Sequence, residues 1–286
     1  MKDIPNISFE SQDDLNDFEI LKISEIFERV SKNPDHDPCK PHRINFFALL
    51  IITEGSGTHQ VDLGLYSVKK GSLLKIAKNQ IHAFQENLNY NGYLVIFTED
   101  FAVKRFSRST LDYTTHLYNY YLSTPLIENE KYGASFLKEI SYELNTVSHV
   151  QKEIIAKLLE VFLLRLEQQN HKLVSLNSKP VHLTIFNQFK SSVENFYTQT
   201  RNVKDYAEKL QISPKHLNNI VRQITHNSAK SFIDHYVILE AKRTILLNNY
   251  SIKEVAFSLG FDELTNFTKF FKKHTAVSPK EFKSSL

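Results

Sequence analysis

The last third of this chain repeats itself. Val203, Tyr206, Ala207, Leu210 and Ile212 recur 49 residues later as Ile252, Val255, Ala256, Leu259 and Phe261. After a one-residue slip, Leu217, Ile220 and Val221 recur 50 residues on as Phe267, Phe270 and Phe271. An apolar pattern at helical spacing that occurs twice predicts two equivalent supersecondary units. Each copy reads as a short helix, a tight turn and a second helix. Ala207 and Ala256 are small where two crossing helices must approach closely. Gly260, the lone glycine after Val181, falls at the turn of the second copy, where a positive φ is easiest.

Helix-start signals sit where the repeat needs them. Ser213-Pro214 offers an N-cap followed by proline at the first helical position, and Ser251…Glu254 and Ser278…Glu281 fit capping boxes. Asn202…Asp205 and Asp262 also fit as caps. Two helices meeting at a short turn form the helix-turn-helix unit, whose second helix can enter the DNA major groove. A plain helical bundle is the competing reading, and it explains one copy better than two.

Charge separates the same region from the rest. Residues 182–286 hold 15 Lys/Arg against 9 Asp/Glu, a balance of +6, while residues 1–181 hold 20 against 23, a balance of −3. A basic third on an acidic remainder suits a polyanion partner for that third.

The first half follows a different period. Five of the seven glycines fall between Gly55 and Gly92 and separate the apolar runs Asn45–Thr53, His59–Leu63, Leu73–Ala77 and Tyr93–Phe97. Short runs punctuated by turn residues predict an antiparallel sandwich or small barrel. Leu111–Leu122, Phe136–Leu144 and Val150–Leu166 then repeat at helical spacing, and Asn170–Pro180 reads as a linker. The longest apolar run, Phe46–Ile52, is far short of the ~18 residues that cross a bilayer. With one cysteine, Cys39, neither an internal disulfide framework nor a cysteine-based zinc site is available. The N-terminus carries Asp3, Glu10, Asp13 and Asp14 with no secretory pattern, so an intracellular, cytoplasmic protein is expected.

The segments YAEKLQISPKHLNNI, AKRTILL and IKEVAFSLGFDELTNFTKFFKKHTAVSPKEFK, within 203–283, resemble the DNA-binding domain of AraC/XylS-type transcription regulators. HRINFFALLIITEGSGTHQVD and VKKGSLLKIAKNQIHAF are similar to that family's cupin-type effector barrel. The resemblance implies an α+β chain: a cupin-like antiparallel β-barrel over 1–104, a helical dimerisation region over 105–169, a linker over 170–181, and an all-α double helix-turn-helix domain over 182–286. A long helix, about Ala229–Leu247, would join the two units. The chain departs from the family at His226 and Ala276, where glycines are usual, at Val221-Arg222 and Val237, and at Asn266, where an aromatic is usual.

By similarity to the family, Lys215, Asn218, Asn219, Thr265, Asn266 and Lys269 are assigned to base edges, with Thr268 beside them. Arg222, Lys272 and Lys273 suit phosphates, which position without specifying. The two recognition helices would lie about one helical turn, ~34 Å, apart. Candidate effector-binding residues are His42, Arg43, His59, Lys75 and His82. His42-Arg43-Ile44-Asn45 lacks the paired histidines and following carboxylate of a cupin metal site, so no metal or other cofactor and no catalytic residue is expected. The apolar face of Val150–Leu166 is wider than one barrel needs, and the family pairs protomers there, so a homodimer is expected. Three readings stay open: a ligand-responsive regulator of double-stranded DNA, an activator engaging RNA polymerase; a cupin-type metal enzyme with a helical appendage; and an architectural DNA-binding dimer.

Overall fold

The computed structural model describes residues 6–7, 17–32, 37–85, 88–118, 124–146, 148–171, 180–225, 227–246 and 250–285. Most of the expected linker, His226, Leu247 and the end of the Leu111–Leu122 run lie outside the described residues. The chain divides into two compact units, Asp3–Ser175 and Leu176–Leu286.

The first unit runs β1 (Asn6–Ile7), β2 (Phe18–Lys22), α1 (Ile23–Lys32), β3 (His42–Ile44), β4 (Phe47–Val61), β5 (Gly64–Lys69), β6 (Ser72–Ile76), β7 (Ile81–Ala83) and β8 (Tyr90–Phe97). It continues with α2 (Glu99–Arg105), α3 (Arg108–Leu117), β9 (Leu126–Glu128), α4 (Glu130–Leu144) and α5 (Gln151–His171). All strand pairs are antiparallel except β1 with β3. Two runs expected to be separate strands, Asn45–Thr53 and His59–Leu63, are joined in the 15-residue β4. Gly55 and Gly57 therefore lie inside a strand. The register slips between Ile52 and Glu54 and Gly55 takes φ +73°, so the strand bends there. Before the bend β4 pairs with β6 and β8; beyond it, with β5 and β7. The two sheets thus share one strand, and the ladders among the described residues do not close into a ring.

Alternation along β4 explains why its sequence is continuously apolar. Ala48, Leu50 and Ile52 join Ile44, Val61, Val68 and Phe84 in one core, while Leu49 and Ile51 join Phe97, Phe136, Leu159 and Phe162 in a second core against the helices. Both faces of the strand are covered, so no polar alternation survives. The helices follow from capping: Thr98 and Asn129 accept backbone N–H bonds at the starts of α2 and α4. Most of the wide apolar face of α5 is spent inside its own unit, where Ile155, Leu159, Phe162, Leu163 and Leu166 are buried. Ile154 and Val161 remain exposed, with Leu158 half-buried between them. One strand, β9, lies in the stretch expected to be purely helical and pairs with β6.

The second unit is all helix: α6 (Pro180–Phe196), α7 (Val203–Lys209), α8 (Pro214–Thr225), α9 (Ala229–Leu246), α10 (Ile252–Ser258), α11 (Leu264–Thr275) and α12 (Pro279–Ser284). α9 is apolar around most of its circumference, burying Phe232, Ile233, Tyr236, Val237, Ala241 and Ile245, and forms the centre. Arg243 is also buried there and donates to Glu240 at 2.6 Å.

The two copies match in burial and in turn geometry. Ala207 and Ala256 are fully buried at equivalent sites. The turn after α7 closes with Gln211 N–H to Glu208 O and Ile212 N–H to Ala207 O, both 3.0 Å; the turn after α10 repeats this with Gly260 to Phe257, 3.0 Å, and Phe261 to Ala256, 3.1 Å. Gln211 and Gly260 both have positive φ, +55° and +73°. The Ser251 and Ser278 capping boxes are formed, Asn202 caps α7, and Ser213 Oγ accepts the His216 N–H. Asp262 is not a cap: α11 begins one residue later, with Glu263 at the N-cap and no side-chain capping bond.

Candidate nucleic-acid interface

α8 and α11 are the second helices of their copies. Each buries one stripe and leaves the rest of its surface in solvent, which is what a recognition helix requires. On α8 the buried stripe is Leu217, Ile220, Val221 and Ile224, and Lys215, Asn219 and Arg222 are exposed. On α11 it is Phe267 and Phe271, and Thr265, Asn266, Lys269, Lys272 and Lys273 are exposed. Leu264, apolar like the stripe, is 39% exposed at the helix start.

Two assigned residues are partly committed elsewhere. Asn218 is half-buried and its Oδ1 accepts the Ala229 N–H at 3.0 Å, satisfying an orphan donor at the start of α9. Thr268 Oγ1 donates to Leu264 O at 2.9 Å. The structure adds neighbours that the repeat did not single out. A cleft of about 530 Å³ is lined by His182, His216, Asn219, Ile220, Arg222 and Gln223. His182 Nδ1 and Gln223 Oε1 are 2.9 Å apart in a hydrogen bond that brings the start of α6 against α8. His216 could have been read from the helical period of α8. His182 could not, because its place depends on how α6 packs.

In the first unit the five expected effector residues separate into three places. His42, His59 and His82 converge: β3 pairs with β7, and the end of β4 pairs with β7. His59 Nε2 and His82 Nδ1 share a hydrogen bond of 3.2 Å, His59 Nδ1 and Tyr90 Oη one of 2.9 Å, and the His42 and His82 rings lie 4.3 Å apart edge to face. Burial, with a smaller contribution from His42, pulls the His59 pKa down to about 3, so this ring is held neutral. With both ring nitrogens of His59 in hydrogen bonds, the trio is a satisfied polar cluster. Among the described residues no group of three or more His, Cys, Asp or Glu is arranged to hold a metal ion.

Lys75 points the other way. It shares strand parity with Leu73, on the helix side of the sheet, and its Nζ donates to Leu117 O at the end of α3, 2.7 Å. Burial lowers its pKa to about 7 against the upward pull of Glu167 on α5. Arg43 is half-buried with Nη1 donating to Asn79 O at 2.9 Å. A shared strand neighbourhood in sequence therefore became opposite faces in space.

Two helix-turn-helix copies on a basic helical unit, in a chain that also carries a two-sheet unit, are the architecture of a DNA-binding transcription regulator. A helix-turn-helix domain matches residues 206–285, and an AraC-like ligand binding domain matches residues 26–116. The Msm operon regulatory protein of Streptococcus mutans is 28% identical over 144 residues, 50% of this chain and 49% of that protein, so the chain spans about half of that relative's length. The HTH-type transcriptional activator RhaS of Pectobacterium carotovorum is 21% identical over 254 residues, 85% of this chain and 86% of the relative. Among solved structures, unsaturated fatty acid bound ToxT from Vibrio cholerae aligns over 96% of this chain and 97% of that one, with 15% identity and a TM-score of 0.43. The chain belongs to the AraC family of transcription regulators. Among the described residues, no helix is long and apolar enough to cross a membrane.

Proposed function

We propose that this chain activates transcription by binding double-stranded DNA through α8 and α11, under control of a small-molecule effector held by the first unit. The observation that carries the reading is the pair of helices that each bury an apolar stripe and expose Asn, Thr and Lys at equivalent places. Asn pairs bidentately with adenine and Lys with guanine, so Lys215, Asn219, Asn266 and Lys269 suit base edges, and Arg222, Lys272 and Lys273 suit phosphates. Half-sites read by one chain are then direct repeats. The protein works in the cytoplasm without an enzymatic step, and RNA polymerase is its further partner.

Selection of bound duplexes from random DNA, with and without candidate metabolites, tests this reading. On the selected site Asn219→Ala is expected to cost ~1–3 kcal/mol in a binding titration, with unchanged affinity for random DNA. Equal loss on both would remove Asn219 from base recognition. An effector that shifts the population of the first unit's arrangements would also raise its melting temperature.

For assembly, the stripe of α5 left over after intramolecular packing, Ile154, Leu158 and Val161 at helical spacing, supports a homodimer. Sedimentation is expected to show twice the single-chain mass at micromolar concentration, and Val161→Glu to reduce it. A single-chain mass throughout would contradict the dimer.

A further inference from the structure

Within the helical unit, the segment between α6 and α7, residues 197–202, is fastened to both copies. On the first copy, Tyr206 Oη donates to Thr200 O at 2.8 Å and Thr200 Oγ1 donates to the Asp205 carboxylate. On the second, Arg201 Nη2 donates to Gly260 O at 3.0 Å, and its guanidinium carbon lies 3.7 Å from the centre of the Phe261 ring. Thr198 O packs so closely that a β-carbon on Gly260 would lie 1.8 Å from it. The copies are consequently joined twice, through α9 and through this strap. One helical connection alone tolerates bending and twisting; a second point of attachment, made of a cation–π contact and a charge-assisted hydrogen bond, removes that freedom.

We propose that Arg201 is a positioning residue for DNA recognition: by holding the Gly260–Phe261 turn against the strap, it sets the separation and twist of α8 and α11, and so the half-site spacing the protein accepts. The inference rests on the reading of α8 and α11 as recognition helices. Adding or removing one base pair displaces one half-site by ~3.4 Å and turns it by ~34° about the duplex axis. A rigid pair of helices cannot follow, so the DNA must deform, and the deformation costs affinity. A pair freed from the strap would follow by moving itself.

The test uses the full chain and three kinds of duplex: the selected site, the same site with one base pair added to or removed from the spacer, and a single half-site. The wild type is expected to lose at least about tenfold in affinity on the altered spacers. In Arg201→Ala that penalty is expected to shrink to within about threefold while single half-site affinity stays unchanged. Arg201→Lys, which keeps a cation over the ring, should recover part of the discrimination. Phe261→Leu, which keeps an apolar side chain but removes the ring, should mimic Arg201→Ala and serves if that variant does not fold. An undiminished spacer penalty in both, or equal losses on single and paired half-sites, overturns the proposal. A wild type that binds tightly at every spacing overturns it too, whereas one that binds no duplex overturns the DNA-binding reading itself.

Discussion

Gly260→Ala is expected to destabilise the helical unit by about 3–5 kcal/mol and to abolish specific DNA binding. Two effects combine. Gly260 holds φ +73°, a conformation that costs an alanine roughly 1 kcal/mol. The larger effect is steric: the new β-carbon would sit 1.8 Å from Thr198 O and 2.7 Å from its carbonyl carbon, both backbone atoms that no rotamer change can move aside. The first copy separates the two effects, because its turn carries Gln211 at φ +55° in the equivalent place. A side chain is therefore tolerated in that conformation where the strap does not intrude. Ala276, left-handed at φ +66° after α11, gives the opposite sign: Ala276→Gly is expected to stabilise by up to about 1 kcal/mol. Urea unfolding of the full chain, followed by circular dichroism, measures both. A loss at Gly260 no larger than the gain at Ala276 would mean that the strap yields.

The sheet unit is expected to lose stability as pH falls from about 6.5 toward 3. His59 titrates near 6.5 in an unfolded chain and near 3 in the folded one, so over that window the unfolded state binds the extra proton. The contribution is complete above the unfolded value and drains by ~1.4 kcal/mol per pH unit below it, reaching roughly 2–3 kcal/mol near pH 4.5. His59→Gln keeps a donor and an acceptor for Tyr90 and His82 but cannot titrate. Its melting temperature should fall less between pH 7.5 and pH 5 than that of the wild type. Parallel falls in the two proteins would show that other groups carry the acid response.

What the sequence revealed follows the range of the interactions involved. The double repeat, the capping boxes and the left-handed turn at Gly260 are local, and each has a residue-level signature within a few positions. Ala276 stood out because a glycine is usual there. Gly55 and Gly57 read as turn residues, whereas β4 runs through both and bends at Gly55 from one sheet into the other. His42, His59 and His82 could be named individually, but their convergence depends on the registers of β3, β4 and β7. Lys75 went to the helix side because of a single step of strand parity, which residue type cannot disclose. Asp262 and Glu263 differ by one position, the usual uncertainty of a helix boundary.

Asn218 lies on α8, the proposed reader of the first copy, and its side chain closes the start of α9 through Ala229 N–H. Any replacement there would loosen the seam between α8 and α9. Divergence of regulons among descendants of this protein should therefore accumulate at Lys215, Asn219 and Thr265, leaving Asn218 as a relic of packing.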